Sequence, residues 1–188
     1  KNLNLDYSID NWCEDFIQII NALDIKKINL CGYSMGGRLA IAFASKYPQK
    51  INKLILESAS YGIENKDDQE LRFQEDLKLC GLIETDFHKF IQKWENSPLF
   101  LKQKDRNPDG FLKQREERLL HDSDQISKAL RSFSQGCMDF YMEAITKFDF
   151  PIVIVNGLED NKYVEMGKRI TQINNKSIQY IIKGSNHN

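Results

Sequence analysis

The stretch from Lys27 to Ala40 limits the possible folds of this chain more than any other. Its sequence, Lys-Ile-Asn-Leu-Cys-Gly-Tyr-Ser-Met-Gly-Gly-Arg-Leu-Ala, joins an apolar run to a Gly-x-Ser-x-Gly motif and then to a helix-like segment that reaches Tyr47. A strand, a sharp turn and a helix in this order form a nucleophile elbow, which pushes the serine hydroxyl out of the sheet. We therefore place Ser34 at the tip of an elbow. We expect glycines at 32 and 36 because side chains there would collide where strand and helix nearly touch.

Short apolar runs on both sides of the elbow predict an α/β fold with a mostly parallel sheet. The elbow strand at 27–32 is joined by predicted strands at 53–58, 151–155 and 177–182. Ser8 fits the N-cap of a helix to about Leu23, a second helix ends near Tyr47 where Pro48 stops it, and a third is predicted at 163–173. Strands that alternate with helical crossovers form parallel pairs.

The segment from about 61 to 148 differs from the rest because it is charged and helical, without a convincing strand. Helices are predicted near 67–80, 85–95, 109–120 and 123–146, with breaks at sites such as Asn107-Pro-Asp-Gly110. We predict that residues 1–60 and 149–188 form the two parts of one α/β core, and that residues 61–148 are a helical cap inserted between them.

Composition and charge exclude several functional classes. The net charge is −1, so no overall field favours nucleic acid or an anionic membrane, and no apolar stretch reaches membrane-span length. The four cysteines are far apart and form no Cys-x-x-Cys pair, so they are predicted to be buried free thiols rather than a disulfide frame or metal site (Cys13, Cys31, Cys80 and Cys137). We expect a cytoplasmic protein without a metal, a cofactor, or a nucleic-acid or membrane partner.

A reactive serine needs a base, and the base needs an orienting carboxylate. Asp160 follows the predicted strand 151–155 and His187 follows the strand 177–182, which is the chain order that an elbow serine requires. Glu159 is the weaker alternative to Asp160. The two other histidines, His88 and His121, lie in the predicted cap and are expected at the surface. The N–H of Met35, at the start of the helix, is suited to stabilising an oxyanion.

Four segments together resemble one family of lyases with the α/β-hydrolase fold. They are Gly-Tyr-Ser-Met-Gly-Gly-Arg at 32–38, Leu-Ile-Leu-Glu-Ser-Ala-Ser at 54–60, Trp-Glu-Asn-Ser-Pro-Leu-Phe at 94–100, and Gly-Leu-Glu-Asp-Asn-Lys-Tyr at 157–163. This combination is similar to the 2-succinyl-6-hydroxy-2,4-cyclohexadiene-1-carboxylate synthases of menaquinone and phylloquinone biosynthesis. The elbow is common to many hydrolases, whereas the arginine after the double glycine and the Trp-x-x-x-Pro-x-Phe segment are more particular.

The resemblance implies a reaction and a set of binding residues. The family eliminates pyruvate from a cyclohexene that carries several carboxylates, and it begins by removing a ring proton. Ser34, activated by His187 and Asp160, is implied to be the base. Arginines are implied to hold the carboxylates, and Tyr33, Met35 and Trp94 to line the site; the arginines are Arg38, Arg72 and Arg118, with Arg115 as the alternative to Arg118. Three guanidinium forks suit a polyanionic small molecule.

The resemblance also implies that these residues are a piece of the fold, without its first strands, the His-Gly-Phe-type loop that supplies a second oxyanion donor, and the last helix. Asn186 stands where the family usually has glycine. Two other functions stay open. One is a serine hydrolase that acts on an ester, thioester or carbon–carbon bond through the same residues. The other is a hydrolase-like fold that binds a small ligand without catalysis.

Overall fold

A four-stranded parallel sheet carries the structure. The computed structural model describes residues 7–100 and 102–187. The strands are β1 Ile28–Tyr33, β2 Ile51–Glu57, β3 Ile152–Gly157 and β4 Ser177–Ile182, in the spatial order β1-β2-β3-β4. Every neighbouring pair is parallel. The predicted α/β class and parallel sheet are confirmed, with strand ends within about two residues of the sequence expectation.

Nine α-helices are described, and the polar residues before them explain where several begin. They are α1 Ile9–Ala22, α2 Met35–Lys46, α3 Lys66–Thr85, α4 Phe87–Glu95, α5 Gln103–Arg106, α6 Pro108–Leu119, α7 Ser123–Ser132, α8 Met142–Thr146 and α9 Asn161–Ile173, with a 3₁₀ turn at Pro48–Lys50. The Ser8 hydroxyl accepts a hydrogen bond from the Asn11 N–H at the start of α1. Asn65, Asp86 and Asp122 cap α3, α4 and α7 in the same way.

The main core lies between the sheet and helices α1 and α2. Phe43 of α2 is fully buried, and its ring packs edge-on against Trp12 and Phe16 of α1 at centroid distances of 6.4 and 4.8 Å. Leu54 and Ile152, on neighbouring strands, are also fully buried. Each such side chain contributes about 1.5–3 kcal/mol through removal of apolar surface from water.

The helices α3 to α8 lie between β2 and β3 in the chain, and part of this segment has an apolar cluster of its own. Ile83, Phe90 and Ile91 are buried there, and Trp94 and Leu130 pack against them. Helix α3 contacts both α4 and α7. Helices α3, α4 and α7 are therefore held together by packing of their own, whereas Ile145 of α8 belongs to the main core. Among the described residues, no helix combines the length and the apolar character needed to cross a bilayer.

The predicted single helix at 123–146 is wrong. Helix α7 ends at Ser132 and α8 begins at Met142, with a non-helical connection between them. The Phe133 carbonyl accepts a hydrogen bond from Arg38, and a Cβ on Gly136 would lie 2.5 Å from the Gln69 carbonyl oxygen. These contacts with distant parts of the chain outweigh helix propensity, which is a weak preference.

The four cysteines are free thiols, as predicted, but only two of them are buried. Cys13 is buried in the main apolar core and Cys80 is buried with its thiol donating to the Ser127 carbonyl, whereas Cys31 and Cys137 are exposed. The prediction of four buried thiols is therefore wrong for the last two. Cys31 lies on β1 at a position whose side chain alternates away from the buried Gly32, and Cys137 lies in the connection between α7 and α8.

Strand β1 and helix α2 approach each other through glycines, but not the predicted pair. A Cβ on Gly32 would lie 2.5 Å from the Gly36 carbonyl oxygen, and a Cβ on Gly37 would lie 2.4 Å from the Ala59 Cβ. A Cβ on Gly36 would meet nothing within 4 Å. The steric requirement at Gly36 is therefore wrong, because this residue faces open space at the start of α2. The second required glycine is Gly37.

We expect Gly37→Ala to destabilise the protein by about 1–3 kcal/mol, the usual cost of overpacking a close contact. Gly36→Ala is the matched control, one residue away in the same helix, and we expect it to stay within about 1 kcal/mol of the unsubstituted protein. Urea unfolding of both variants measures the difference. Equal stabilities would mean that the contact between Gly37 and Ala59 relaxes without cost.

Candidate active site

Ser34 has the strained backbone of an elbow. Its φ is 49° and its ψ is −109°, a positive φ that is rarely favourable for a residue with a side chain. Two hydrogen bonds hold it there. The Ser34 N–H donates to the Glu57 carbonyl on β2 at 2.9 Å, and the Arg38 N–H donates to the Ser34 carbonyl at 3.2 Å. The strand on one side and the helix on the other therefore fix where the hydroxyl lies.

Ser34, His187 and Asp160 form one chain of hydrogen-bond contacts. The His187 Nε2 lies 3.0 Å from the Ser34 Oγ, and the His187 Nδ1 lies 2.8 Å from an Asp160 carboxylate oxygen. The imidazole and the carboxylate are both buried, at 2% and 4% exposure. A carboxylate beside Nδ1 favours the tautomer with its proton there, which leaves Nε2 free to accept the serine proton. The geometry is that of an activated serine.

The loops after β3 and β4 are fixed against each other at this point. The Leu158 N–H donates to the Ile182 carbonyl, and the Glu159 N–H donates to the Ser185 carbonyl at 3.0 Å. A Cβ on Gly157 would lie 2.0 Å from the Asn186 carbonyl oxygen. Only glycine allows this approach, so Gly157 helps to bring the two loops together.

Glu159, the alternative carboxylate, does not contact His187. Its oxygens pair with Lys102 and Arg106. The Asp160 side chain points at the imidazole instead.

Three aromatic rings surround the His187 imidazole. The centroids of Tyr163, Tyr33 and Phe100 lie 4.6, 5.4 and 6.1 Å from it. Burial raises the pKa of the Tyr33 phenol, and the charge of Glu57 raises it further. Burial also raises the pKa of Tyr163. Tyr33 was predicted to line the site, whereas Tyr163 and Phe100 appeared in the family motifs without an assigned role.

A cavity of about 480 Å³ opens above Ser34. Its floor includes Tyr33, Met35 and His187. Met35 is the first residue of α2, so its N–H has no acceptor within the helix and is free for a ligand oxygen. The cap side of the cavity is largely apolar and includes Phe87, Phe90, Ile91, Trp94, Ile126 and Leu130. Trp94 also packs on Phe90 and Phe100, so it belongs both to the cap packing and to the cavity wall.

Arg38 is the most buried of the arginines predicted to bind substrate. It lines the cavity, is 7% exposed, and donates from Nη2 to the Phe133 carbonyl at 2.7 Å. Its Nε is buried without a hydrogen-bond partner. Burial lowers the pKa of Arg38 to about 10, so the group stays cationic at neutral pH. A buried cation with an unused donor is suited to an anionic ligand.

Arg72 and Arg118 also line the cavity, each beside a carboxylate. Arg72 Nε lies 3.0 Å from both oxygens of Asp76. Arg118 Nη1 donates to Glu95 at 3.2 Å. Arg38, Arg72 and Arg118 thus share one cavity with Ser34.

Arg115, the alternative to Arg118, does not line this cavity. Its Nε lies 3.2 Å from the Glu95 Oε2, which makes an ion pair but not a hydrogen bond. Between the two arginines, the structure therefore favours Arg118 as the cap arginine that reaches the cavity.

Two polar groups at the cavity were not assigned to it from the sequence. His121 was expected only at the surface; it is exposed but also lines the cavity, whereas His88 is exposed and does not. Gln135 is 2% exposed and lines the cavity, with its Oε1 unpartnered. No local pattern identifies Gln135, because it lies in the connection predicted to be helical. Within residues 7–100 and 102–187, no group of three or more His, Cys, Asp or Glu side chains is arranged to hold a metal ion.

A serine on an elbow, with histidine and aspartate after later strands of a parallel sheet, defines the α/β-hydrolase class. A family model for the alpha/beta hydrolase fold matches residues 2–188, and the chain belongs to this family. Within it, the resemblance to 2-succinyl-6-hydroxy-2,4-cyclohexadiene-1-carboxylate synthases is confirmed by similar proteins. A Bacillus subtilis (strain 168) protein that bears this name provisionally is 29% identical over 182 residues, which cover 96% of this chain and 66% of that protein.

Solved structures agree with this similarity. The structure of MenH from S. aureus superimposes with a TM-score of 0.94 at 28% identity, over 100% of this chain and 71% of that one. A thermophilic esterase from Thermogutta terrifontis has a TM-score of 0.79 at 21% identity, over 96% of this chain and 65% of the esterase, and shows the shared fold alone. The chain thus spans just under two thirds of the length of the Bacillus relative.

We expect a fluorophosphonate to modify Ser34, because the hydrogen bond from Ser34 to His187 makes this hydroxyl more nucleophilic than an ordinary serine. His187→Ala should slow the modification by at least about 100-fold, the lower range of general-base contributions. Mass spectrometry of the modified peptide measures both effects. His88→Ala is the control, because His88 is exposed and does not line the cavity above Ser34. Equal labelling of the His187→Ala and His88→Ala variants would contradict activation by His187.

Proposed function

We propose that the protein is a lyase that eliminates pyruvate from 2-succinyl-5-enolpyruvyl-6-hydroxy-3-cyclohexene-1-carboxylate. The product is 2-succinyl-6-hydroxy-2,4-cyclohexadiene-1-carboxylate. One observation carries the proposal: Arg38, Arg72 and Arg118 line the same cavity as Ser34 and His187. The similarity to synthases of this name supports it. The four free cysteines support a cytoplasmic location as part of the same proposal.

In the proposed reaction Ser34 removes the ring proton. His187 accepts the serine proton at Nε2, which lies 3.0 Å from the hydroxyl, and Asp160 stabilises the imidazolium that forms. As the C–H bond at ring C2 breaks, its electron pair forms the C2=C3 double bond, the existing C3=C4 double bond shifts to C4=C5, and the C5–O bond to the enolpyruvyl group breaks. The leaving enolate takes a proton at carbon and becomes pyruvate, and the His187 imidazolium releases the proton that it accepted, which returns the site to its starting state. No bond forms between Ser34 and the substrate.

The binding residues suit a substrate with several carboxylates. Guanidinium groups grip carboxylates through paired, charge-assisted hydrogen bonds. The Met35 N–H is available to an oxyanion that develops during proton removal. The apolar residues of the cap, such as Phe90 and Ile91, can cover the hydrocarbon part of the ring.

A serine hydrolase is the second candidate, and the apolar cap wall favours it. A wall that includes Phe87, Phe90 and Ile126 can bury an acyl chain. The arginines weigh against this alternative, because an apolar ligand would remove water from guanidinium groups without replacing its hydrogen bonds. The two candidates differ in the product that they release, so one assay separates them.

We expect the full-length protein to release pyruvate from the proposed substrate and to hydrolyse aryl esters such as p-nitrophenyl butyrate slowly or not at all. Pyruvate is measured with a lactate dehydrogenase couple, and ester hydrolysis by absorbance. Fast ester hydrolysis without pyruvate release would establish the hydrolase instead.

Arg38→Ala should lower kcat/KM for pyruvate release at least about tenfold, because a hydrogen bond to a charged group is worth about 1.5–3 kcal/mol. Arg118→Ala should have a comparable effect. Arg115→Ala is the matched control, since Arg115 is near the same Glu95 carboxylate but does not line the cavity. If Arg115→Ala is as damaging as Arg118→Ala, the cap arginine acts through helix packing rather than by binding substrate.

A further inference from the structure

Two carboxylates in the cap are buried but do not line the cavity. Asp76 is 1% exposed and Glu95 is 4% exposed. Neither is among the residues around the cavity, yet each contacts an arginine that is. A carboxylate in such a place costs free energy unless it is paired and hydrogen-bonded, so its position needs an explanation.

Asp76 binds the Arg72 guanidinium without itself lining the cavity. Arg72 Nε lies 3.0 Å from both Asp76 oxygens, and Arg72 Nη2 lies 3.0 Å from Oδ1. The Ser134 hydroxyl donates to Asp76 Oδ2 at 2.7 Å, and that hydroxyl in turn accepts from the Gly136 N–H. Asp76 is therefore fixed by the connection between α7 and α8. Because Arg72 is bound along its Nε edge, its orientation toward the cavity is fixed too.

Glu95 holds Arg118 in a comparable way. Arg118 Nη1 donates to Glu95 Oε1 at 3.2 Å, and Arg118 Nη2 donates to the Gln114 side chain at 3.0 Å. Glu95 is the last residue of α4, whereas Arg118 is on α6. The second Glu95 oxygen stays near Arg115. The same arrangement therefore occurs twice in the cap: an arginine that lines the cavity forms an ion pair with a buried carboxylate that does not.

Arg38 differs, since its Nη2 donates to the Phe133 carbonyl and its Nε has no hydrogen-bond partner. Of the three cavity arginines, only Arg72 and Arg118 have a buried carboxylate partner. The difference follows their burial: Arg38 is buried on α2, whereas the side chains of Arg72 and Arg118 are partly exposed on cap helices. A long side chain that is only partly enclosed needs another group to hold it.

We infer that Asp76 and Glu95 are positioning residues, which hold Arg72 and Arg118 in the orientation that binds the carboxylates of the ligand. The inference rests on the proposed function only for the identity of that ligand. It predicts that each carboxylate acts through its own arginine. If a carboxylate only had a structural role, such as binding α3 to the α7–α8 connection, its substitution would have the same effect with and without the arginine.

A double-mutant cycle on the full-length protein separates these roles. Asp76→Asn keeps the shape of the side chain and removes its charge, and it is made with Arg72 intact and in Arg72→Ala. Glu95→Gln is paired with Arg118→Ala in the same way. Binding of isophthalate, a ring with two carboxylates, is measured by calorimetry, and pyruvate release is measured in parallel. Glu84→Gln is the matched control, because Glu84 pairs with Arg131 in the cap and Arg131 does not line the cavity.

We expect Asp76→Asn to raise the Kd for isophthalate about tenfold with Arg72 present and at most about twofold in Arg72→Ala, since contacting residues are coupled. Glu95→Gln should behave alike with Arg118, and Glu84→Gln should leave the Kd unchanged. An equal loss with and without the arginine would overturn the inference. So would tighter binding by Asp76→Asn, because the carboxylate would then only oppose the charge of the ligand.

The two proposals fail in different ways. If the unsubstituted protein binds isophthalate but releases no pyruvate, the proposed reaction is wrong and the cycle still tests the positioning residues. If it binds no isophthalate, the arginines do not hold carboxylates and the inference is overturned. If Asp76→Asn does not fold, as thermal unfolding would show, the Glu95 cycle decides by the same criterion.

Discussion

The close approach of β1 and α2 determines how the rest of the site is built. Gly32 and Gly37 leave no side chain between strand and helix, so the chain turns within one residue and Ser34 takes a positive φ. The same turn puts the Met35 N–H at the helix start. Arg38 lies one helical turn after Ser34 and therefore on the same face of α2. One backbone contact thus brings a hydroxyl, an N–H donor and a guanidinium to a single cavity.

The parallel sheet supplies the remaining groups. Parallel strands end at the same edge, so residues that follow different strands meet there although they are far apart in sequence. His187 and Ser34 are 153 residues apart and in hydrogen-bond contact. Loop geometry then decides which carboxylate reaches the imidazole: Asp160 does, while the adjacent Glu159 pairs with Lys102 and Arg106. Of these two neighbouring carboxylates, Glu159 therefore binds the cap segment and Asp160 orients the imidazole.

The sequence was informative where the signal is local. The elbow motif predicts the turn at Ser34, and the order of strands predicts that Asp160 and His187 meet it. Features that depend on contacts between distant residues were not predictable. The helix predicted through Gly136 is interrupted because Arg38 and Gln69 approach the connection, and the required glycine is Gly37 because Ala59 lies against it. The resemblance implies Arg118, with Arg115 as the alternative, but the sequence cannot show which of the two side chains reaches the cavity, because that depends on how α6 packs.

The three cavity arginines illustrate two ways to keep a cation near apolar groups. Arg72 and Arg118 have carboxylate partners, so removing some of their water is largely offset before any ligand arrives. Arg38 has a carbonyl and an unused donor instead, and burial lowers its pKa to about 10. Its desolvation is offset fully only when an anion binds. In the proposed reaction, the substrate carboxylate that binds Arg38 is therefore stabilised most by the charge of the arginine. The carboxylates that bind Arg72 and Arg118 are stabilised mainly because those side chains are already oriented. The proposed function therefore places one substrate carboxylate at Arg38, on the same helix face as Ser34.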